Sequence, residues 1–172
     1  MRKMLVSAAA VLSLTLGTAV AVDAPDVKEG LWSVHSQTTA NPGNKKSEGT
    51  TYTLCRDHAY DKAARDLAKS VKGCKLLSET FKDGKYSTRL HCMIGATVID
   101  TESTVTFASD TSIHSETHAT YTPAMNGVSD TTLVQDQEYM DSCPAGTQPG
   151  DRTDEDGRVT HLGRRPAPPP GR

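Results

Sequence analysis

Long apolar runs are scarce in this 172-residue chain, and aromatic side chains are scarcer still. Apolar residues make up 35% and aromatics 5%, with two phenylalanines and a single tryptophan, Trp32. The core is therefore expected to be thin, and something besides burial has to hold the fold. After residue 21 no stretch is apolar for long enough to span a bilayer core of about 30 Å, so no membrane helix is expected in the body of the chain. GxSxG, GxxxxGK[ST], GxGxxG and HExxH signatures are missing, as is any CxxC or CxxxC spacing. The acidic stretch 151–157 fails as a calcium loop: with Gly157 on the loop glycine, Arg152 takes the first ligand position and Gly163 the place of the bidentate Glu. No catalytic residue and no cofactor are expected on these grounds. Residues 22–143 hold 12 Lys/Arg against 17 Asp/Glu, and such an acidic body repels phosphate backbones, which argues against nucleic acid as a partner.

What is present begins at the N-terminus. Arg2 and Lys3 precede the apolar or small residues Leu5 to Leu16, a run too short to cross a membrane comfortably, and Ala19-Val20-Ala21 supplies a small-x-small cleavage motif. Residues 1–21 read as a signal peptide, with a mature chain from Val22 exported to the periplasm or secreted. From Pro144 onward the composition changes: six of the nine prolines lie there, with no aromatic, ending in a Pro/Arg-rich stretch. Residues 22–143 are accordingly read as one disulfide-stabilised β-rich domain, and 144–172 as a disordered tail.

Cys55, Cys74, Cys92 and Cys143 form an even set, which in an exported chain favours disulfides. Period-2 runs rich in Thr, Val, Ile and Tyr cover about 30–39, 49–55, 75–82, 85–93, 96–107, 111–122 and 128–141. They predict a mainly β (α+β) fold: a curved antiparallel meander or half-barrel. One segment departs from period 2. Asp57 is a plausible N-cap, Tyr60, Ala63, Ala64, Leu67 and Val71 form one apolar stripe, and Gly73 can end the turn, which predicts one packed amphipathic helix. Asp61 to Arg65 and Lys62 to Asp66 are opposite charges at i,i+4 spacing.

The hairpin around Gly84 leaves two arrangements open. A three-residue loop, Lys82 to Gly84, sets Cys74 opposite Cys92. A two-residue Asp83-Gly84 turn pairs Phe81 with Tyr86 and sends the two cysteines to opposite faces. A Cys74 to Cys92 bridge would leave Cys55 for Cys143.

GlyLeuTrp at 30–32, ThrLeuCys at 53–55 leading into an Asp-started helix, Cys74 after it, Cys92 in a following strand and Cys143 near the domain's end together resemble the domain of unknown function 3617 family of small exported Gram-negative proteins. The resemblance implies a periplasmic, disulfide-containing, strand-rich module and carries over no catalytic residue.

Two candidate sites follow. A cavity between sheet and helix, lined by Trp32, Leu67, Leu77, Leu90 and Phe107, would suit a small apolar ligand or an envelope protein, although for Trp32 itself plugging the core is the favoured role. In HisSerGluThrHis, residues 114–118, a strand would carry His114, Glu116 and His118 on one face, with Asp100 or Glu102 near His118, a set able to hold zinc or copper for binding or hydrolysis. The alternation of Ile113, Ser115, Thr117, Ala119 and Tyr121 makes the better inward face and leaves the histidines in water. His35, His58, His91 and His161 have no ligand-like spacing. The expectation is a non-catalytic binding module, ahead of a metal-dependent protein or a structural envelope protein.

Overall fold

A computed structural model describes residues 24–162. The expected signal peptide and residues 163–172 of the expected tail lie outside the described residues. Ten strands and one helix follow in the order β1 (Gly30–Asn41), β2 (Lys45–Lys46), β3 (Thr50–Arg56), α1 (His58–Lys69), β4 (Cys74–Lys82), β5 (Lys85–Ile94), β6 (Thr97–Phe107), β7 (Ser112–Met125), β8 (Val128–Asp141), β9 (Asp151–Asp154) and β10 (Val159–His161). All strand pairs are antiparallel, and the sheet runs β10-β9-β3-β1-β8-β7-β6-β5-β4, with β2 on β1. The expected meander is the β4-to-β8 half. The sheet does not close, so β10 and β4 remain edges, and α1 lies over one face.

Residues 144–162 correct the expected boundary of the tail. Strand β9 pairs with β3 through Tyr52 opposite Asp154 and Leu54 opposite Arg152, and β10 adds to β9. These strands are short and polar, and backbone pairing rather than apolar burial places them: Gly150 N–H also donates to the Cys55 carbonyl at 2.7 Å.

The hairpin at Gly84 combines halves of both predicted arrangements. Asp83 and Gly84 form the two-residue turn, with φ of 52° and 73°, and Phe81 pairs with Tyr86. A β-bulge then inserts Leu77, since Leu76 opposes Leu90 while Ser78 opposes Arg89. One extra residue restores the parity that the turn reversed, and Cys74 ends directly opposite Cys92, to which it is bonded with a Cα–Cα distance of 3.9 Å. The second bridge joins Cys55 to Cys143 across 88 residues, tying β3 to the end of β8.

Trp32 anchors the core. It is fully buried with Val27 and Ile113, packed against Val105, Phe107 and Tyr139. Its indole N–H donates to the Lys28 carbonyl at 2.9 Å, and its ring meets Tyr139 edge-on at 6.1 Å.

Helix α1 corrects a second expectation. Asp57 caps it as predicted, accepting from the Tyr60 N–H at 2.6 Å. Only part of the apolar stripe meets the sheet: Tyr60 and Ala64 line the space above it, whereas Ala63 is exposed, and Leu67 and Val71 are 58% and 44% exposed. The helix instead turns Asp61 and Lys69 inward. Asp61 is buried against Arg56 of β3, and Lys69 reaches Glu79 of β4 at 2.5 Å. Ion pairs to neighbouring strands set the helix's rotation, and Leu67 and Val71 face outward as a consequence.

Candidate functional site

Strand register builds the floor of a cleft. Tyr52, Val34, Gln137, Ile113 and Phe107 stand opposite one another in a row across β3, β1, β8, β7 and β6. The next row brings Gln135, Val105 and Tyr86 to the same face. Helix α1 roofs them with Tyr60, Asp61, Ala64 and Arg65, while Ala24, Pro25 and Leu162 close the rim. The cleft is open on one side and has a volume of about 340 Å³, within the usual range for small-molecule sites.

Polar groups interrupt the apolar lining. Arg56 Nε donates to both oxygens of Asp61 at 2.9 and 3.2 Å, its Nη1 donates to Gln137 Oε1 at 2.9 Å, and its guanidinium lies 5.0 Å from the Trp32 ring centroid. An arginine forked onto a carboxylate in this way keeps the buried Asp61 charge paired. Burial, with the Asp61 charge behind it, pushes the Tyr60 hydroxyl above its usual pKa of 10.0, although Arg56 pulls the other way. Tyr60 therefore presents a protonated donor at neutral pH. The expected Asp61 to Arg65 pair does not form, because Asp61 is taken by Arg56, whereas Lys62 and Asp66 do pair at 2.6 Å.

Of the five residues expected to line the cavity, the cleft contains Phe107. Trp32 lies in the core beside it. Leu67 is on the outer side of α1, Leu77 protrudes at the bulge with 52% exposure, and Leu90 is half-buried farther along β5. The lining residues that sequence reasoning missed are Val34, Leu54, Val105 and Ile113, all apolar, together with Arg56, Tyr60 and Arg65. Alternation along β1, β6 and β7 signals the inward face of Val34, Val105 and Ile113; which strands adjoin is not written in any local pattern.

The HisSerGluThrHis strand lies on the opposite face. His114 Nδ1 is 2.7 Å from Asp136 Oδ1, His118 Nδ1 is 3.1 Å from Thr132 Oγ1, and Glu116 is exposed. Glu102 stands opposite His118, as the sequence pattern anticipated. His114, Glu116 and His118 border a polar depression of about 400 Å³ with Lys85 and Glu102. Among the described residues no three His, Cys, Asp or Glu side chains converge in a metal-holding group. Each histidine engages its cross-strand neighbour, as residues on a wetted face of an antiparallel sheet do.

Residues 27–143 match the profile of a family described as protein of unknown function DUF3617. The chain belongs to this family. The DUF3617 stretch thus runs from the residue that packs under Trp32 to the second cysteine of the long bridge, and β9 and β10 lie beyond it. Comparison with curated proteins gives no match. Among solved structures, an S-type phycobiliprotein lyase from Guillardia theta aligns at 10% identity with a TM-score of 0.37, covering 66% of this chain and 89% of that one. At that level neither fold nor ligand transfers from it. No helix of the described residues is long and apolar enough to cross a membrane.

Proposed function

We propose that this DUF3617 protein is a non-catalytic binding module that is exported to the periplasm and takes a small apolar ligand between its sheet and its helix. One observation carries the reading: a cleft of about 340 Å³ floored by Val34, Leu54, Val105, Phe107 and Ile113, in a chain with little apolar surface to spare. In a fold with so thin a core, apolar side chains bordering open volume forgo packing that their neighbours would otherwise supply, and a ligand restores it. Export is supported by the N-terminal sequence pattern and by two disulfides, which persist in oxidising compartments.

The test is binding of the uncharged fluorophore N-phenyl-1-naphthylamine to the purified chain, followed by fluorescence enhancement. Saturable binding is expected, and Ala64→Trp, which fills the cleft from its roof and leaves Trp32 itself unchanged, is expected to abolish it. Absence of saturable binding, or binding indifferent to Ala64→Trp, contradicts the proposal.

A further inference from the structure

The charge inside the cleft narrows the chemistry of what it takes, on the premise that the cleft is a ligand site. Three ionic side chains line it: Arg56, Asp61 and Arg65. Arg56 and Asp61 neutralise one another at 2.9 Å, and Arg56 Nη1 also donates to Gln137. Arg65 is left over. It is half-buried and makes no ion pair or hydrogen bond among the described residues, whereas the other cations of its helix are matched, Lys62 by Asp66 and Lys69 by Glu79. Arg65 is thus the one ionic side chain of the cleft without a bonded partner, with Asp66 acting on it through space, inside a body that is acidic as a whole.

A guanidinium withdrawn partly from water without an acceptor is poised for an anion, and its planar fork matches a carboxylate in bidentate geometry. A second donor is at hand. Tyr60, one helical turn and a half earlier, lines the same cleft, and its hydroxyl bonds to no described residue. The rest of the lining includes Val34, Val105, Phe107 and Ile113. A wholly apolar ligand would leave Arg65 unmatched and a cation would oppose it, while a dianion would exceed the single charge available.

We propose that the cleft takes a single-chain amphiphile with a carboxylate head, the chain lying on Val34, Val105 and Ile113 and the head held by Arg65 and Tyr60. Arg65 is the specificity-determining residue of the site, and Tyr60 orients the head.

Calorimetric titration of the purified chain at pH 8 with decanoate, 1-decanol and decyltrimethylammonium, each below its micellar concentration, tests this. Decanoate is expected to bind about tenfold more tightly than 1-decanol, the gain of one charge-assisted hydrogen bond, and the cation more weakly than either. Arg65→Met, which keeps the apolar stem, is expected to bring decanoate down to the level of 1-decanol while leaving 1-decanol binding unchanged. Equal affinity for decanoate and 1-decanol, or no response of decanoate to Arg65→Met, overturns the head-group assignment while the cleft stands as an apolar site. Failure of all three to bind overturns the binding reading together with it.

Discussion

Removing the long disulfide should cost this protein more than almost any single packing change. The Cys55–Cys143 bridge closes a loop of 88 residues' separation, and the loop-entropy relation assigns it about 4.5 kcal/mol. The Cys74–Cys92 bridge, with a separation of 18, is assigned about 3 kcal/mol. Against a total stability of about 5 to 15 kcal/mol for a domain of this kind, either loss is severe and the first is near-complete at the bottom of that range. At roughly 3 °C per kcal/mol for a domain of this size, the Cys55→Ala/Cys143→Ala variant should melt about 13 °C below the parent and the Cys74→Ala/Cys92→Ala variant about 9 °C below. Alanine is the appropriate replacement because Cys55 is 2% exposed and a hydroxyl there would be buried. Urea unfolding under non-oxidising conditions measures the same quantities at constant temperature. If the long-bridge variant loses less than about 1 kcal/mol, or less than the short-bridge variant, the crosslinks do not act by restricting the unfolded chain.

Deleting Leu77 removes the bulge and returns Cys74 to the face opposite Cys92, so mass mapping should find both as free thiols; a Cys74–Cys92 peptide in that variant would show that the bulge does not set the register. Trp32→Ala should destabilise by about 3 to 5 kcal/mol in urea unfolding, through lost packing with Val27, Ile113 and Tyr139, and a loss below about 1 kcal/mol would place Trp32 outside the working core. Burial works against the Glu79 carboxylate, but hydrogen bonds from Lys69 and Tyr86 outweigh it and hold its pKa below 4.5. Its contribution to stability is thus fully present above pH 4.5 and lost as pH falls through the lower folded value; acid unfolding followed by circular dichroism should show Glu79→Gln losing this dependence, and an unchanged acid profile would refute it. His58, bonded to the Val27 carbonyl with Asp26 and Glu29 nearby, should titrate above 6.5 by nuclear magnetic resonance, its contribution complete below 6.5 and lost as pH rises through the folded value.

Much of the local architecture was legible. Seven strands fall within a residue or two of their alternating runs over most boundaries, Asp57 caps the helix, and the inward set of Ile113, Ser115 and Thr117 follows from period 2. What was not legible depends on partners distant in sequence. The outward turn of Leu67 and Val71 reflects Arg56 claiming Asp61 in the folded state, in place of the Asp61 to Arg65 pair that the spacing offered. The bulge at Leu77 has no signature in LysLeuLeuSer, since one extra residue in a strand shows itself only against the register of β5. Strands β9 and β10 are polar and short and exist because β3 offers an edge. For the same reason the predicted cavity residues scattered: Leu67 and Leu77 are apolar, but the elements that carry them are turned or kinked by contacts elsewhere, while Phe107, on a strand that keeps its alternation, reached the cleft.

The most direct measurement is an intermolecular nuclear Overhauser experiment on methyl-labelled protein saturated with N-phenyl-1-naphthylamine. Cross-peaks from the probe's ring protons to the methyl groups of Val34, Val105 and Ile113 are predicted. Cross-peaks confined to exposed Leu67, Val71 or Met93 would contradict a ligand cleft between helix and sheet.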